Sequence, residues 1–395
     1  MYPENPACRS EAKIPISGPK RSGLGRRKPA RRTAGGCGGF NLGAMNHYFL
    51  LTIDVEDWFQ VENFKRYIPF ASWSSYELRV EKNTHRILDL LDSIGIENTE
   101  YDSQKAVSDN ENHASRIQYS DNGQQSTDDG QDEKVRGTFF VLGWLAERLP
   151  NLVREIHSRG HEVASHGYYH NLCNEQSHED LKKDLNNSKS LLEDIIGNQV
   201  YGYRAPSFAI NNDILKIIED CGYFYDSSYN SFAMHGRYGQ ISVSQNGQKG
   251  IAIRIFKSLN AERRTQNPEP RTFYELPISN LHFRTPFSYV LSAISSEQNR
   301  GGFVLPWGGG GYFRLIPFPL FKIGIKRILG KENAYLFYVH PWEIDPEQPK
   351  VNQASSFYKF RHYTNLSKTH RKLSKLIKSF AHCNFVTCRQ YLDEA

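Results

Sequence analysis

Residues 137–170 read GTFFVLGWLAERLPNLVREIHSRGHEVASHGYYH, one full unit of strand, helix and strand. Gly137–Leu142 is an apolar run of strand length, and Leu145–Arg159 reads as a helix closed by Gly160. His161–Ser165 is a second strand, and the chain leaves it through His166 and His170, two imidazoles four positions apart. A parallel sheet with helical crossovers is the architecture such a unit implies.

The pattern repeats on both sides. Upstream, Tyr48–Val55 is a strand rich in Phe, Leu and Ile that runs into the acidic group Asp54, Glu56 and Asp57. Asn83–Ile94 carries Ile87, Leu88, Leu90, Leu91 and Ile94 at helical spacing. Downstream come helix Ser177–Ile196, strand Val200–Arg204 and helix Asn212–Cys221, which Gly222 stops. Late in the chain lie strand Tyr335–Val339, helix Thr369–Phe380 and a short strand Asn384–Thr387. The fold class is therefore α/β with parallel strands, barrel-like or doubly wound.

Composition fits a globular body, with 38% hydrophobic and 23% charged residues and no run of about 18 apolar residues that would span a membrane. The richest apolar window, Phe313 to Ile328, is broken by Arg314, Pro317, Pro319, Lys322 and Lys326, and reads as core or as a surface-seeking segment. The net charge of +6 comes from residues 1–44, which hold nine Lys/Arg against Glu4 and Glu11. The rest of the chain is close to neutral. Residues 1–44 read as a disordered basic tail, rich in Gly and Pro and without the apolar core of a secretory signal. Met45 stands directly before the first strand, so a misassigned start is an alternative reading.

Residues 97–134 hold ten Asp/Glu, three Lys/Arg and almost nothing apolar, and read as a disordered acidic insertion. A single catalytic domain over 45–395, interrupted by that insertion, is the expected organisation. The six cysteines show no metal-binding or disulfide spacing, so free thiols are expected. The near-neutral body gives no footprint for nucleic acid. With no export signal visible, the expected location is cytoplasmic, at most at the inner membrane face.

The polar candidates fall where strands end. Asp54 and Glu56 follow the first, His166 and His170 the strand His161–Ser165, Arg204 the strand after that, and His340 the late one. In an α/β barrel this edge is where catalysis is built. Two histidines and a carboxylate from the acidic cluster supply three ligands to a divalent metal and leave a further position open.

The stretches LTIDVEDWFQV (51–61), residues 137–170, YGYRAPSFAI (201–210), YDSSYN (225–230), YELPIS (274–279), GGGGYFRLIP (308–317) and FYVHPWEIDP (337–346) together resemble the polysaccharide deacetylases of the NodB-homology type, the family 4 carbohydrate esterases. Within these the chain looks most like the branch associated with exosortases and exopolysaccharide clusters. The resemblance implies a distorted (β/α)7-type barrel. It also implies that Asp54 is the general base, His166 and His170 are metal ligands, and Arg204 holds Asp54. By the same resemblance Asp226 would tune the catalytic histidine, and His340 would be the general acid toward the leaving amine.

The usual family pattern has adjacent aspartates, whereas Asp54 is followed by Val55, Glu56 and Asp57. Glu56 is the expected carboxylate ligand, since residues i and i+2 of a strand share a face. Asp57 is the alternative, with capping or orienting the following Trp58 loop as its plainer role. Zinc is the expected metal, and cobalt, nickel or iron also suit the ligands. A backbone N–H from the Tyr168–Asn171 loop is expected to stabilise the oxyanion. Trp58, Tyr169, Tyr203, Trp307, Tyr312 and Trp342 are candidates for stacking on sugar rings, with core packing as the plainer reading.

The resulting expectation is a metal-dependent hydrolase that removes N-acetyl groups from amino sugars of a polysaccharide or its lipid-linked precursor. Two rivals remain: an allantoinase- or imidase-like amidohydrolase on a small amide, and a catalytically silent carbohydrate-binding barrel.

Overall fold

The computed structural model describes residues 47–96, 133–232, 238–241, 248–249, 251–257, 272–284 and 302–394. The expectations for residues 1–44 and for most of 97–134 lie outside them. In chain order the first half contains β1 (Tyr48–Val55), α1 (Val80–Asp92), β2 (Gly95–Ile96), β3 (Glu133–Lys134), β4 (Gly137–Val141), α2 (Gly143–Arg148), α3 (Pro150–Ser158), β5 (Glu162–Ser165) and α4 (His178–Ile196). Then follow β6 (Gly202–Tyr203), α5 (Asn212–Asp220), β7 (Tyr225–Asp226), β8 (Gln248–Lys249), β9 (Ala252–Lys257), β10 (Thr272–Glu275), β11 (Asn280–Arg284) and β12 (Gly302–Pro306). The last part holds α6 (Gly310–Leu315), α7 (Phe318–Glu332), β13 (Ala334–Val339), α8 (Ser356–Tyr363), α9 (Leu366–Ser379), β14 (Asn384–Phe385) and α10 (Cys388–Glu394).

Seven parallel strands lie in the order β13-β1-β4-β5-β6-β7-β10, and β9 and β8 extend the β10 edge antiparallel. The sheet curls back on itself. Ser279 Oγ accepts from the Leu336 N–H at 2.9 Å, and Gly308 O accepts from the Tyr338 N–H at 2.7 Å, so β13 is bridged toward the segment after β10. This is the (β/α)7 arrangement, with a two-residue β6 where the five residues Val200–Arg204 were expected to pair.

Alternation along β1 separates two cores. Phe49, Leu51, Ile53 and Val55 face the helices, while Leu50 joins Phe140, Ala164, Tyr225, Leu276 and Leu336 inside the curl. Thr52 and Asp54 share the inner parity and are buried. The opposite end of the curl is plugged by α10: the Cys388 N–H donates to Thr138 Oγ1, and the Arg389 N–H to Glu162. Register then fixes the functional edge. Val141 pairs with Ser165, Ser165 with Tyr203, and Tyr203 with Asp226, so His166, Arg204 and Ser227 each emerge one residue later on one rim.

The helix expected over Leu145–Arg159 is two helices. Pro150 lacks an N–H and takes the first position of α3, so the chain breaks at Leu149, with φ −127° and ψ 52°. The ends of the acidic insertion are pinned, since β2 and β3 pair antiparallel as Gly95↔Lys134 and Ile96↔Glu133.

At the base of β4, buried His161 accepts the Gly137 N–H on Nδ1 at 3.3 Å. Burial, reinforced by Arg136, pushes this imidazole down to about 4. The unfolded chain binds the proton from about pH 6.5, so stability falls as pH drops from 6.5 toward 4. We expect His161→Asn to flatten the pH dependence of the urea midpoint in that window. The shift corresponds to on the order of 3 kcal/mol; an unchanged slope would remove His161 as the cause.

Candidate active site

Glu56, His166 and His170 present ligand atoms that all lie within 4.8 Å of one another, and all three are buried. His166 is the first residue past β5. Its Nδ1 lies 2.7 Å from the Arg204 carbonyl. A carbonyl only accepts, so Nδ1 carries the proton and Nε2 keeps its lone pair for the cavity. Burial pushes His166 down to about 4, so the ring is neutral.

His170 reaches the cluster because its own backbone is left-handed, with φ 55°, and Gly167 before it has φ 75°. A Cβ at Gly167 would stand 2.9 Å from Asp184 Oδ2, so this turn needs glycine. Burial alone would raise the Glu56 carboxyl. The rings of His170, His340 and His166 override it and hold it at about 2. Glu56 Oε2 lies 2.9 Å from His170 Nε2 yet has no hydrogen-bond partner of proper alignment. A carboxylate and an imidazole aimed at one point, with the Glu56 oxygen otherwise unpartnered, form a donor set that fits a divalent cation.

Asp57 is engaged elsewhere. Its carboxylate accepts the backbone N–H groups of Trp58, Arg79 and Val80, capping α1 from 22 residues upstream.

Asp54 is clamped by Arg204. The guanidinium is fully buried and donates from Nη1 to Asp54 Oδ1 at 2.6 Å and to Thr52 Oγ1 at 2.7 Å. Nε and Nη2 go to the carbonyl and hydroxyl of Ser227, and the plane lies 4.0 Å from the Phe140 ring centroid. Only Oδ2 of Asp54 then faces His340, whose Nε2 is 3.8 Å away. The same Nε2 is 3.1 Å from Glu56 Oε1.

The residue that touches the other face of His340 differs from expectation. Asp226 accepts from the Ser228 N–H and hydroxyl and borders Glu275, with no contact to His340. Glu343 stands there instead, with Oε1 2.8 Å from His340 Nδ1. Glu343 is in turn gripped by buried Arg314 through Nε at 2.7 Å, and Arg314 spends its remaining donors on the carbonyls of Arg361, His362 and Thr364. Burial would lower His340, but Glu56, Glu343 and Asp54 raise it to about 9. Gly310 makes room for this pair, since a Cβ there would sit 2.2 Å from Glu343 Oε1. Glu343 stands three residues after His340 in the HPWE stretch, a local spacing that sequence reasoning passed over in favour of Asp226.

These groups line one cavity of about 140 Å³, together with Phe208, Tyr238, Tyr338, Trp342 and His362. Trp342 is the one aromatic candidate on its wall; its indole N–H points at Glu56 Oε1 at 3.4 Å, and its ring stacks on His362. Tyr169 is 41% exposed and lies beyond the cavity, edge-on to Phe70. Tyr312 is half-buried against Phe232. Trp58, Tyr203 and Trp307 belong to the core: Trp58 packs on Phe59 and Tyr76, Tyr203 bonds Cys173, and Trp307 stacks on Phe321. Their bulk is used for burial. Two amides of the Tyr168–Asn171 loop are also taken, because Asp184 accepts both the Tyr168 and Tyr169 N–H groups.

Residues 131–225, from before β4 to β7, match the model of the polysaccharide deacetylase family. A peptidoglycan deacetylase-like protein of Gibberella zeae is 28% identical over 171 residues, 42% of this chain and 48% of the relative. A peptidoglycan-N-acetylglucosamine deacetylase of Bacillus cereus is 30% identical over 90 residues, 23% of this chain and 42% of the relative.

Over residues 131–225 the chain matches the polysaccharide deacetylase family.

It spans about half the length of these curated relatives or less. A crystal structure of a polysaccharide deacetylase candidate from Mycobacterium smegmatis covers 86% of this chain and 85% of its own, at 16% identity and a TM-score of 0.43. Residues 294–393 match a separate model, a domain of unknown function (DUF3473). In this chain that segment supplies β13, His340, Glu343, Arg314, Trp342 and His362, and so one whole wall of the cavity.

Metal content separates the two acids. We expect Glu56→Ala to lose bound metal by elemental analysis while keeping its fold. Asp57→Ala should keep the metal and lose about 1–2 kcal/mol of stability from the missing cap. The reverse pattern would transfer the ligand role to Asp57.

Proposed function

We propose that the chain hydrolyses N-acetyl groups from amino sugars of a polysaccharide or its lipid-linked precursor. One observation carries this reading: Asp54 Oδ2 and His340 Nε2 converge in the same cavity as the Glu56–His166–His170 cluster, at 3.8 Å from each other. Amide hydrolysis needs a proton taken from water and a proton given to a poor leaving amine, so two acid–base groups beside an electrophilic centre suit it.

A divalent cation held by Glu56, His166 and His170, with zinc the first choice among metals this donor set suits, would polarise the acetamido carbonyl and ease deprotonation of water. Asp54 accepts the water's proton on Oδ2, because Arg204 occupies Oδ1 and holds the carboxylate in one orientation. His340 delivers a proton from Nε2 to the departing amine, while Glu343 accepts its Nδ1–H and fixes the ring. Trp342 closes the wall against water and orients Glu56.

An extended glycan is favoured over a small cyclic amide by what adjoins the cavity. Two further hollows border it: a small one lined by Phe70, Trp73, Tyr169 and His170, and a polar one lined by Lys65, Asn171, Gln176, Asp180 and Asn187. Aromatic rims with amide and carboxylate walls suit sugar rings. Relatives named as acting on peptidoglycan N-acetylglucosamine and on chitooligosaccharides support the same class. The resemblance of the stretches quoted above, from 51–61 to 337–346, to the exopolysaccharide branch supports a role in exopolysaccharide synthesis. The intact acid–base pair speaks against a silent binding barrel.

Acetate release from a panel of N-acetylated oligosaccharides tests the proposal. Release should stop with chelator and return with added metal. Asp54→Asn and His340→Ala should each lose on the order of 10²–10⁴ in rate with metal retained. Turnover of a small cyclic amide with no acetate from any glycan would overturn the substrate class.

A further inference from the structure

Seven large apolar side chains are substantially exposed among the described residues, and five of them are Leu315, Leu320, Ile323, Phe357 and Phe360. They come from two segments that are one neighbourhood in space. Arg314, directly before Leu315, donates to the carbonyls of Arg361, His362 and Thr364 at the end of α8. On α7, Leu320 and Ile323 are i and i+3 on one face, 57% and 63% exposed, while Phe321, Ile325 and Ile328 turn into the core. This helix is therefore apolar on both sides in its first half.

Charge surrounds that face in a lopsided way. Residues 313–332 and 366–382 together hold ten Lys/Arg against Glu332 alone. Apart from Arg314, every one of the ten is at least partly exposed. The two segments pack together: Lys372 bonds the carbonyls of Phe313 and Ile316, and Leu315 and Phe318 share a surface recess with Lys368 and Lys372. Residues 45–395 taken whole are close to neutral, so this is a local concentration of positive charge. Lysines ringing exposed Leu, Ile and Phe match an anionic bilayer, where the ammonium groups meet headgroups and the apolar tips enter the acyl boundary. A soluble polyanion would use the charges and leave the apolar tips unexplained.

We propose that this face, formed by α7, α8 and α9, docks the protein on an anionic membrane surface. Arg314 lines both the catalytic cavity and the recess beside Leu315, so docking sets the cavity next to the bilayer. The inference goes beyond the proposed hydrolysis and does not depend on it.

Sedimentation of the full chain with vesicles tests the proposal, comparing phosphatidylglycerol–phosphatidylethanolamine with phosphatidylcholine alone. The chain should bind the anionic vesicles at least tenfold more strongly and lose that binding at high salt. Leu320→Asp combined with Ile323→Asp should weaken binding at least tenfold, with the thermal midpoint and acetate release from soluble oligosaccharides unchanged. Lys368→Glu with Lys375→Glu should weaken it as well.

Binding unaffected by the Leu320 and Ile323 changes overturns the proposal, whether the basic residues 1–44 or charge alone carries it. Binding lost to the lysine changes only would make the face a polyanion reader, which also overturns it. So would a concentration-dependent dimer abolished by Leu320→Asp, since a second copy would then cover the face.

Discussion

The ion pair between Arg204 and Asp54 is the constraint on which the site depends. Both side chains are out of water inside the curl, and isolating either charge there would cost several kcal/mol. The cost is offset by a nearly complete set of donors and acceptors: Thr52 from β1, Ser227 beyond β7, and the Phe140 ring from β4. The backbone carbonyl of Arg204 also fixes the tautomer of His166. One residue thus ties four strands and orients both the proposed base and a proposed ligand. Its placement follows from strand register, which delivers residues 54, 166 and 204 to a single rim.

The second half of the cavity is built by a different principle. His340 leaves β13 beside β1, and its ring is held by Glu343, which is held by Arg314, which is tied to the backbone at the end of α8. This chain of buried, charge-assisted bonds lies wholly within residues 294–393, the part that matches a domain of unknown function. Neither half closes alone. The first lacks an acid and the second lacks ligands, and β13 paired along β1 brings them together.

Long, strongly patterned elements were legible in the sequence, because burial on two faces leaves a run such as Tyr48–Val55 with no other use. The histidine pair, Arg204 and His340 were legible from their positions just past strands. Glu56 was favoured over Asp57 by strand parity; Glu56 lies with the two histidines, while Asp57 is spent on capping α1. What failed depended on contacts distant in sequence. Asp226 was given the histidine-tuning part because its motif suggested it, yet the ladder buries it against Glu275 and Ser228. Trp58, Tyr203 and Trp307 looked like sugar platforms because a one-dimensional pattern cannot tell rim from core. The break at Leu149 was visible in Pro150 and was passed over.

Anomalous diffraction from crystals grown with a divalent metal tests the central claim most directly. The account predicts one strong peak at about 2.0–2.2 Å from a Glu56 oxygen and from one ring nitrogen each of His166 and His170. It also predicts that Asp54 and His340 approach without ligating. A peak held by Asp57, or no peak with Glu56 hydrogen-bonded to His170, would contradict it.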